Sequence, residues 1–203
     1  MSFAQSSSLQ SPVKILLVAG STRRPSHTFS LVEQVRLSLE ERGAQCHHWD
    51  IDARPLPEAD PSYHERPESH PGASVRELVA AAASSDAFVL GSPIYHNGYS
   101  AVLKNILDLL TIPHFQYKAV ALVSHGDDRS TQAVDQLRIV VRGLHGYAAI
   151  TQICTAADDY APATDGRYPI CAPDIRVRID RLSLELMLLA QLYRVLRAQI
   201  GLD

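Results

Sequence analysis

Five short, nearly continuous apolar runs, alternating with stretches of helical spacing, leave this chain few ways to fold. The first, residues 13–19 (V-K-I-L-L-V-A), stops at Gly20 and Ser21. Its length, β-branching and glycine stop indicate a buried strand rather than a helix. Residues 44–51, 86–91, 118–125 and 148–154 read the same way. Apolar stripes at helical spacing run through 29–42, 74–85, 99–110 and 131–144. A wider stripe runs through 175–196, carried by Ile175, Ile179, Leu182, Leu186, Leu189 and Tyr193. Strands apolar on both faces and alternating with helices predict an α/β fold, a doubly wound five-stranded parallel sheet with helices on both faces. Ligands of such a sheet sit past the carboxyl ends of its strands.

The 203 residues fit a single domain over 1–203, with 1–12 read as a disordered N-terminal tail. At 46% hydrophobic and 20% charged, the chain has the apolar mass for a real core. A formal charge of −3 argues against a nucleic-acid footprint. Three widely spaced cysteines without a CxxC pair point to a reducing compartment. With no signal-peptide pattern and no run near the ~20 apolar residues of a membrane helix, the expectation is a cytoplasmic protein without a membrane partner. The nine histidines include the pair His47-His48, but neighbours on a strand point to opposite faces and no HExxH occurs, so no metal site is expected. A serine hydrolase is excluded by the lack of a G-x-S-x-G elbow.

The turn after the first strand reads G-S-T-R-R-P-S-H-T over 20–28, in a stretch with no acid before Glu33. Hydroxyls, helix N-terminal N–H groups and a guanidinium suit a monophosphate, and Ser21, Arg23, Ser26 and Thr28 are the candidate donors. Read alone, the same residues equally cap a helix; their position and the missing acids tilt the reading toward binding. The turn matches neither the Walker nor the dinucleotide glycine pattern. After the third strand comes G-S-P-I-Y-H-N-G-Y-S over 91–100, offering an aromatic and polar edges to a flat heteroaromatic ring, or simply leading into a helix. Residues 54–72, with five prolines, form a long loop that is read as a lid or as passive surface. Lys104 is read as an exposed helix cation.

Together, G-S-x-R-x-x-S-x-T after the first strand and S-P-I-Y-H-N-G-Y-S-A-V-L-K-N-I-L-D-L-L after the third resemble the NADPH-dependent FMN reductases of the flavodoxin-like superfamily, over residues 13–155. The resemblance implies a flavodoxin-like sheet with the FMN phosphate in the first loop, at Ser21, Arg23, Ser26, His27 and Thr28. Pro93, Ile94, Tyr95, His96, Asn97 and Gly98 would lie along the isoalloxazine, and Ser124, His125 and Gly126 at a flavin-contacting turn. There the sequence S-H-G-D-D departs from the family's frequent Gly-Gly, and V134-D135-Q136-L137 lacks the tyrosine inserted in the sulfonate-utilisation branch. The function implied is an FMN-dependent NAD(P)H oxidoreductase, passing hydride from NADPH through FMN to flavin or a quinone-like acceptor. No side chain is then expected to act as catalytic acid or base, since the cofactor carries the reactivity. Arg54, Arg66 and Arg129 are open candidates for the NADPH 2′-phosphate. Expected partners are the nicotinamide cofactor, a small-molecule acceptor, a flavin-dependent monooxygenase and a second or fourth copy of the chain. The alternatives are a flavodoxin-type one-electron carrier and a partner-binding protein without turnover.

Overall fold

The alternation of elements follows from strand geometry, because successive side chains of a strand point to opposite faces of the sheet. In this computed structural model, which describes residues 11–202, β1 (Lys14–Ala19) puts Ile15, Leu17 and Ala19 on one face and Leu16 and Val18 on the other. Parallel partners flank it: β2 (Gln45–Trp49) on one side and β3 (Ala87–Tyr95) on the other. Beyond β3 lies β5 (Ala119–His125), and on its outer edge two short strands, β6 (Tyr147–Ala148) and β7 (Ile153–Thr155). The strand order is therefore β2-β1-β3-β5-β6, with β7 also on β5 and the two-residue β4 (Gly98–Tyr99) hairpinned to β3.

Only the connection from β1 to β2 moves one way across the sheet; later connections move the other way. Right-handed crossovers then put the first helix on one face and the next ones on the other. The structure has α1 (His27–Glu41) and α6 (Pro173–Ile200) packed together on the face of Leu17, Ala19, Val89 and Ala121. The opposite face, with Leu16, Phe88, Leu90 and Leu122, is covered by α2 (Ala73–Ser84), α3 (Ala101–Asp108) and α5 (Gln132–Gly143).

Three boundaries differ from the sequence reading. The fifth strand, read as continuous over 148–154, is split into β6 and β7 by an excursion in which Glu185 accepts from the N–H groups of Ile150 (2.6 Å) and Thr151 (3.1 Å). The helix read over 99–110 is shorter: α3 begins at Ala101 and ends at Asp108, Tyr99 is in β4, and a separate single turn, α4 (Ile112–Phe115), follows. The third strand, read as ending at 91, continues to Tyr95. Lys104 is paired with Asp108 (2.6 Å) one turn away.

Two buried charge centres tie helices to the sheet. Asp86 accepts from Lys14 N (2.9 Å), from Arg194 Nε and Nη2 (3.2 and 2.5 Å) and from Arg197 Nη2 (3.1 Å). Arg194 also donates to the carbonyls of Ser11 (2.9 Å) and Pro12 (3.1 Å); the rest of the expected tail, residues 1–10, lies outside the described residues. Lys118 Nζ donates to the carbonyls of Ala82 (2.9 Å) and Ala83 (3.1 Å), where the negative end of the α2 dipole receives a cation. Burial, together with nearby Arg197, pushes the Lys118 ammonium down to about 8.

Candidate functional site

The carboxyl ends of β1, β3 and β5 lie side by side, and their loops meet because small residues stand where the backbones approach. Gly20 N donates to Gly91 O (2.8 Å), and Ser100 Oγ donates to Gly20 O (2.6 Å). A Cβ on Gly20 would stand 2.6 Å from Leu103 Cβ and 2.7 Å from Ser100 Oγ. Gly20→Ala is accordingly expected to destabilise the fold by about 1–3 kcal/mol through overpacking. Thermal unfolding checks this against Gly143→Ala, where no neighbour stands within 4 Å and little change is expected.

In the first loop Ser21, Ser26 and Thr28 are buried, whereas Thr22, Arg23 and Arg24 are exposed. Ser26 caps α1, its hydroxyl accepting from Phe29 N (3.2 Å) and donating to Ser21 Oγ (3.0 Å). The two adjacent arginines have different fates. Arg24 is committed to Asp50 (3.2 Å), Asp52 (3.1 Å), two loop carbonyls and the face of Phe29. The Arg23 guanidinium has no hydrogen bond or ion pair among the described residues. The loop thus presents buried hydroxyls and one uncommitted cation at the N-terminus of a 15-residue helix, an arrangement that can hold an anion.

The β3 end is a hairpin rather than a loose turn. Ile94 pairs with Tyr99 and Tyr95 with Gly98, and the two turn residues His96 (φ 49°) and Asn97 (φ 63°) are both left-handed, as a tight hairpin requires. Gln136 of α5 fastens it by donating to Asn97 O (2.9 Å). Tyr95, His96 and Asn97 are exposed; Pro93 is buried and Ile94 half-buried. A Cβ on Gly126 would stand 2.9 Å from Ile94 Cδ1, so the loop after β5 lies directly against this hairpin.

Ser124 is buried, and its hydroxyl faces the Cys154 thiol without a hydrogen bond of ordinary geometry. His125 stacks on His27 at 4.2 Å between centroids, joining the loop after β5 to the first loop. Thr155 Oγ1 donates to Ser124 O (3.1 Å), so toward His125 Nδ1 (3.2 Å) it accepts. That network assigns the His125 proton to Nδ1 and leaves Nε2 as an acceptor. Burial first, then neighbouring His27, pushes His125 down to about 4; burial and Arg23 lower His27. Both shifts favour the neutral ring.

Of the three arginines open for a nicotinamide phosphate, two are committed. Arg129 binds Asp159 and Asp174 (2.7 Å), and Arg54 lies on Trp49 (4.2 Å) while donating to His48 O (3.1 Å). Arg66 has no side-chain partner among the described residues. The long loop that carries it is fastened to α3 by Asn105, which accepts from Ala59 N (2.8 Å) and donates to Pro57 O (2.9 Å).

The sequence reading missed Tyr160 and Tyr168, which also pack on His27, at 4.8 and 3.7 Å. They stand in a small hairpin over 160–170 whose turn is Asp165 (φ 51°) and Gly166 (φ 73°). An Asp-Gly dipeptide is a hairpin signal, and it was available in the sequence.

A family model for NADPH-dependent FMN reductase matches residues 13–160. The chain is 34% identical over 167 residues to an FMN-dependent NADPH-azoreductase of Staphylococcus saprophyticus, covering 82% of this chain and 89% of that protein. It is 31% identical over 172 residues to the protein of the same description from Staphylococcus aureus, with the same coverage. Among solved structures, an NADH:FMN oxidoreductase superposes with a TM-score of 0.68 at 22% identity, over 87% of this chain and 89% of that one. The flavoenzyme NAD(P)H:(acceptor) oxidoreductase FerB from Paracoccus denitrificans gives 0.68 at 19% identity, over 86% and 97%. These two likenesses establish the flavodoxin-like fold.

Proposed function

The chain belongs to the NADPH-dependent FMN reductase family and is an FMN-dependent NAD(P)H oxidoreductase; within that class we propose that it holds FMN as a resident group and reduces a small quinone-like or azo acceptor with NADPH. The observation that carries this reading is the first loop. Its buried hydroxyls and the uncommitted Arg23 at the α1 N-terminus, in a stretch of sequence with no acid before Glu33, fit a phosphate monoester, the one part of FMN that needs a charged cradle.

In this reading Ser21, Arg23, Ser26 and Thr28 hold the phosphate, and His27 borders it. The hairpin from Pro93 to Gly98 and the turn Ser124 to Gly126 flank the ring, with Tyr95 exposed toward the nicotinamide or acceptor. FMN, when bound, supplies two-electron hydride chemistry. The chain's own groups bind and orient, and no side-chain acid or base is assigned. Neutral His125 offers Nε2 as an acceptor at the flavin edge. Arg66 is the arginine left for the NADPH 2′-phosphate.

Self-association belongs to the same reading, supported by the exposed stripe Val177, Leu184, Leu188 and Leu192 on α6. So does cytoplasmic residence, supported by free thiols at Cys46, Cys154 and Cys171; no helix among the described residues is long and apolar enough to cross a membrane.

The visible spectrum of the purified protein, with NADPH oxidation followed with and without added FMN, tests this reading. A yellow protein that turns over NADPH and an acceptor without added flavin is the expected result. Colourless protein active only with added FMN would make flavin the substrate, delivered onward to a partner such as a monooxygenase. Failure to bind FMN would overturn the assignment of the site.

A further inference from the structure

Residues 161–203 lie beyond the part of the chain that the family model matches, yet they send a hairpin back onto the first loop. Thr164 and Arg167 exchange backbone hydrogen bonds (2.8 and 3.0 Å), and Ala161 N donates to Pro169 O (2.9 Å). The base is closed by Cys171 N donating to Asp159 O (2.8 Å), and Asp159 is itself gripped by Arg129. From this fixed base the outer strand reaches α1. Tyr168 N donates to Ser30 Oγ (2.9 Å), and Arg167 lies 3.8 Å from Glu33.

The contact made there is specific. The Tyr168 ring lies 3.7 Å from His27 with 14° between planes, and His125 covers the other face of the same imidazole at 4.2 Å and 17°. Tyr160 meets His27 edge-on at 4.8 Å, its hydroxyl 2.9 Å from Thr155 Oγ1. His27 is thus sandwiched between two neutral rings contributed by different loops. It is also the first residue of α1, directly after the capping Ser26 and one residue before buried Thr28. Whatever fixes the His27 ring fixes the helix end whose N–H groups and hydroxyls face an anion, and a preorganised cradle releases its ligand more slowly.

We propose that the hairpin over 160–170 is a clasp on the phosphate loop, with Tyr168 the positioning residue that acts through His27 to retain the FMN phosphate. The proposal rests on the reading of Ser21 to Thr28 as the phosphate site. Because the clasp acts on the phosphate end, it separates FMN from riboflavin, which has the same ring and no phosphate.

The experiment measures flavin release by fluorescence recovery on dilution of protein loaded with FMN or with riboflavin. Tyr168→Ala is expected to speed FMN release about tenfold, roughly the worth of one stacked ring pair, and to leave riboflavin release unchanged. Tyr168→Phe, which keeps the ring, is expected to behave as the unmodified protein. Ser30→Ala, which removes only the hydroxyl that anchors Tyr168, is expected to shift FMN release in the same direction by less. An unchanged FMN rate in Tyr168→Ala would overturn the clasp, as would equal acceleration of both flavins or Tyr168→Phe behaving as Tyr168→Ala. If Tyr168→Ala does not fold, Ser30→Ala decides by the same FMN-against-riboflavin comparison. An unmodified protein that binds riboflavin and FMN equally well would overturn the phosphate site and the clasp with it. FMN preference without any effect of the variants overturns the clasp alone.

Discussion

Replacing Asp86 with alanine is expected to remove about 3–5 kcal/mol of stability, the loss typical when one partner of a buried charge network is deleted. Asp86 joins three groups: the N–H that starts β1, and Arg194 and Arg197 near the end of α6. Without the carboxylate, two largely buried guanidinium groups each lose a charged partner. For a chain of this size the melting temperature falls on the order of 10 °C. Urea denaturation of Asp86→Ala beside the unmodified protein measures the difference. The effect carries a pH signature. Burial alone would raise the Asp86 carboxyl, but the hydrogen bonds from Arg194 and Lys14 N, with the charges of both arginines, hold it below its ordinary value. The folded state therefore binds that proton less readily than the unfolded chain, whose carboxyl titrates near ~3.9. The stabilisation is full above that value and is lost as pH falls through the folded one. The gap between the two proteins should be wide at pH 6 and narrow in strong acid.

Arg23→Ala is expected to weaken FMN binding about 10- to 100-fold, as a charge-assisted hydrogen bond of about 1.5–3 kcal/mol is lost. Riboflavin affinity should not change, because the role proposed for the guanidinium is confined to the phosphate. Arg24→Ala is the instructive contrast: that side chain is held by Asp50 and Asp52 and lies on Phe29, so its loss should lower thermal stability while leaving the FMN-to-riboflavin ratio near that of the unmodified protein. Equilibrium titration of the apoprotein with both flavins measures each ratio. Equal weakening of both flavins by Arg23→Ala would count against a phosphate contact.

The two arginines also show where sequence reasoning stops. Strands and helices were legible because burial imposes a period on the chain, and the stop at Gly20 marked where the first loop begins. Which of two adjacent arginines is free depends on Asp50 and Asp52, twenty-six and more residues away, and no local pattern carries that. The β3 extension was hidden by Pro93, which usually ends a strand. It is tolerated here because β1 stops opposite Gly91, so beyond that point β3 keeps β5 as its one parallel neighbour. The split fifth strand was illegible for a similar reason: Glu185 of α6, not the residues of the strand, provides the acceptors that replace the ladder at Ile150 and Thr151. His27 was read as a phosphate-loop residue by position, and the structure adds that its ring is already stacked on both faces.

The grip of Arg194 has a further consequence, for the order in which the molecule assembles. It reaches Ser11 across 183 residues and Asp86 across 108, far longer spans than those joining neighbouring strands. Contacts of such sequence separation close late, since the intervening chain must already be folded to bring their ends together. Only with the second half of α6 in place does the Asp86 carboxylate gain Arg194 and Arg197. A chain cut before residue 194 would lack both arginines of that latch while keeping every strand of the sheet in its sequence.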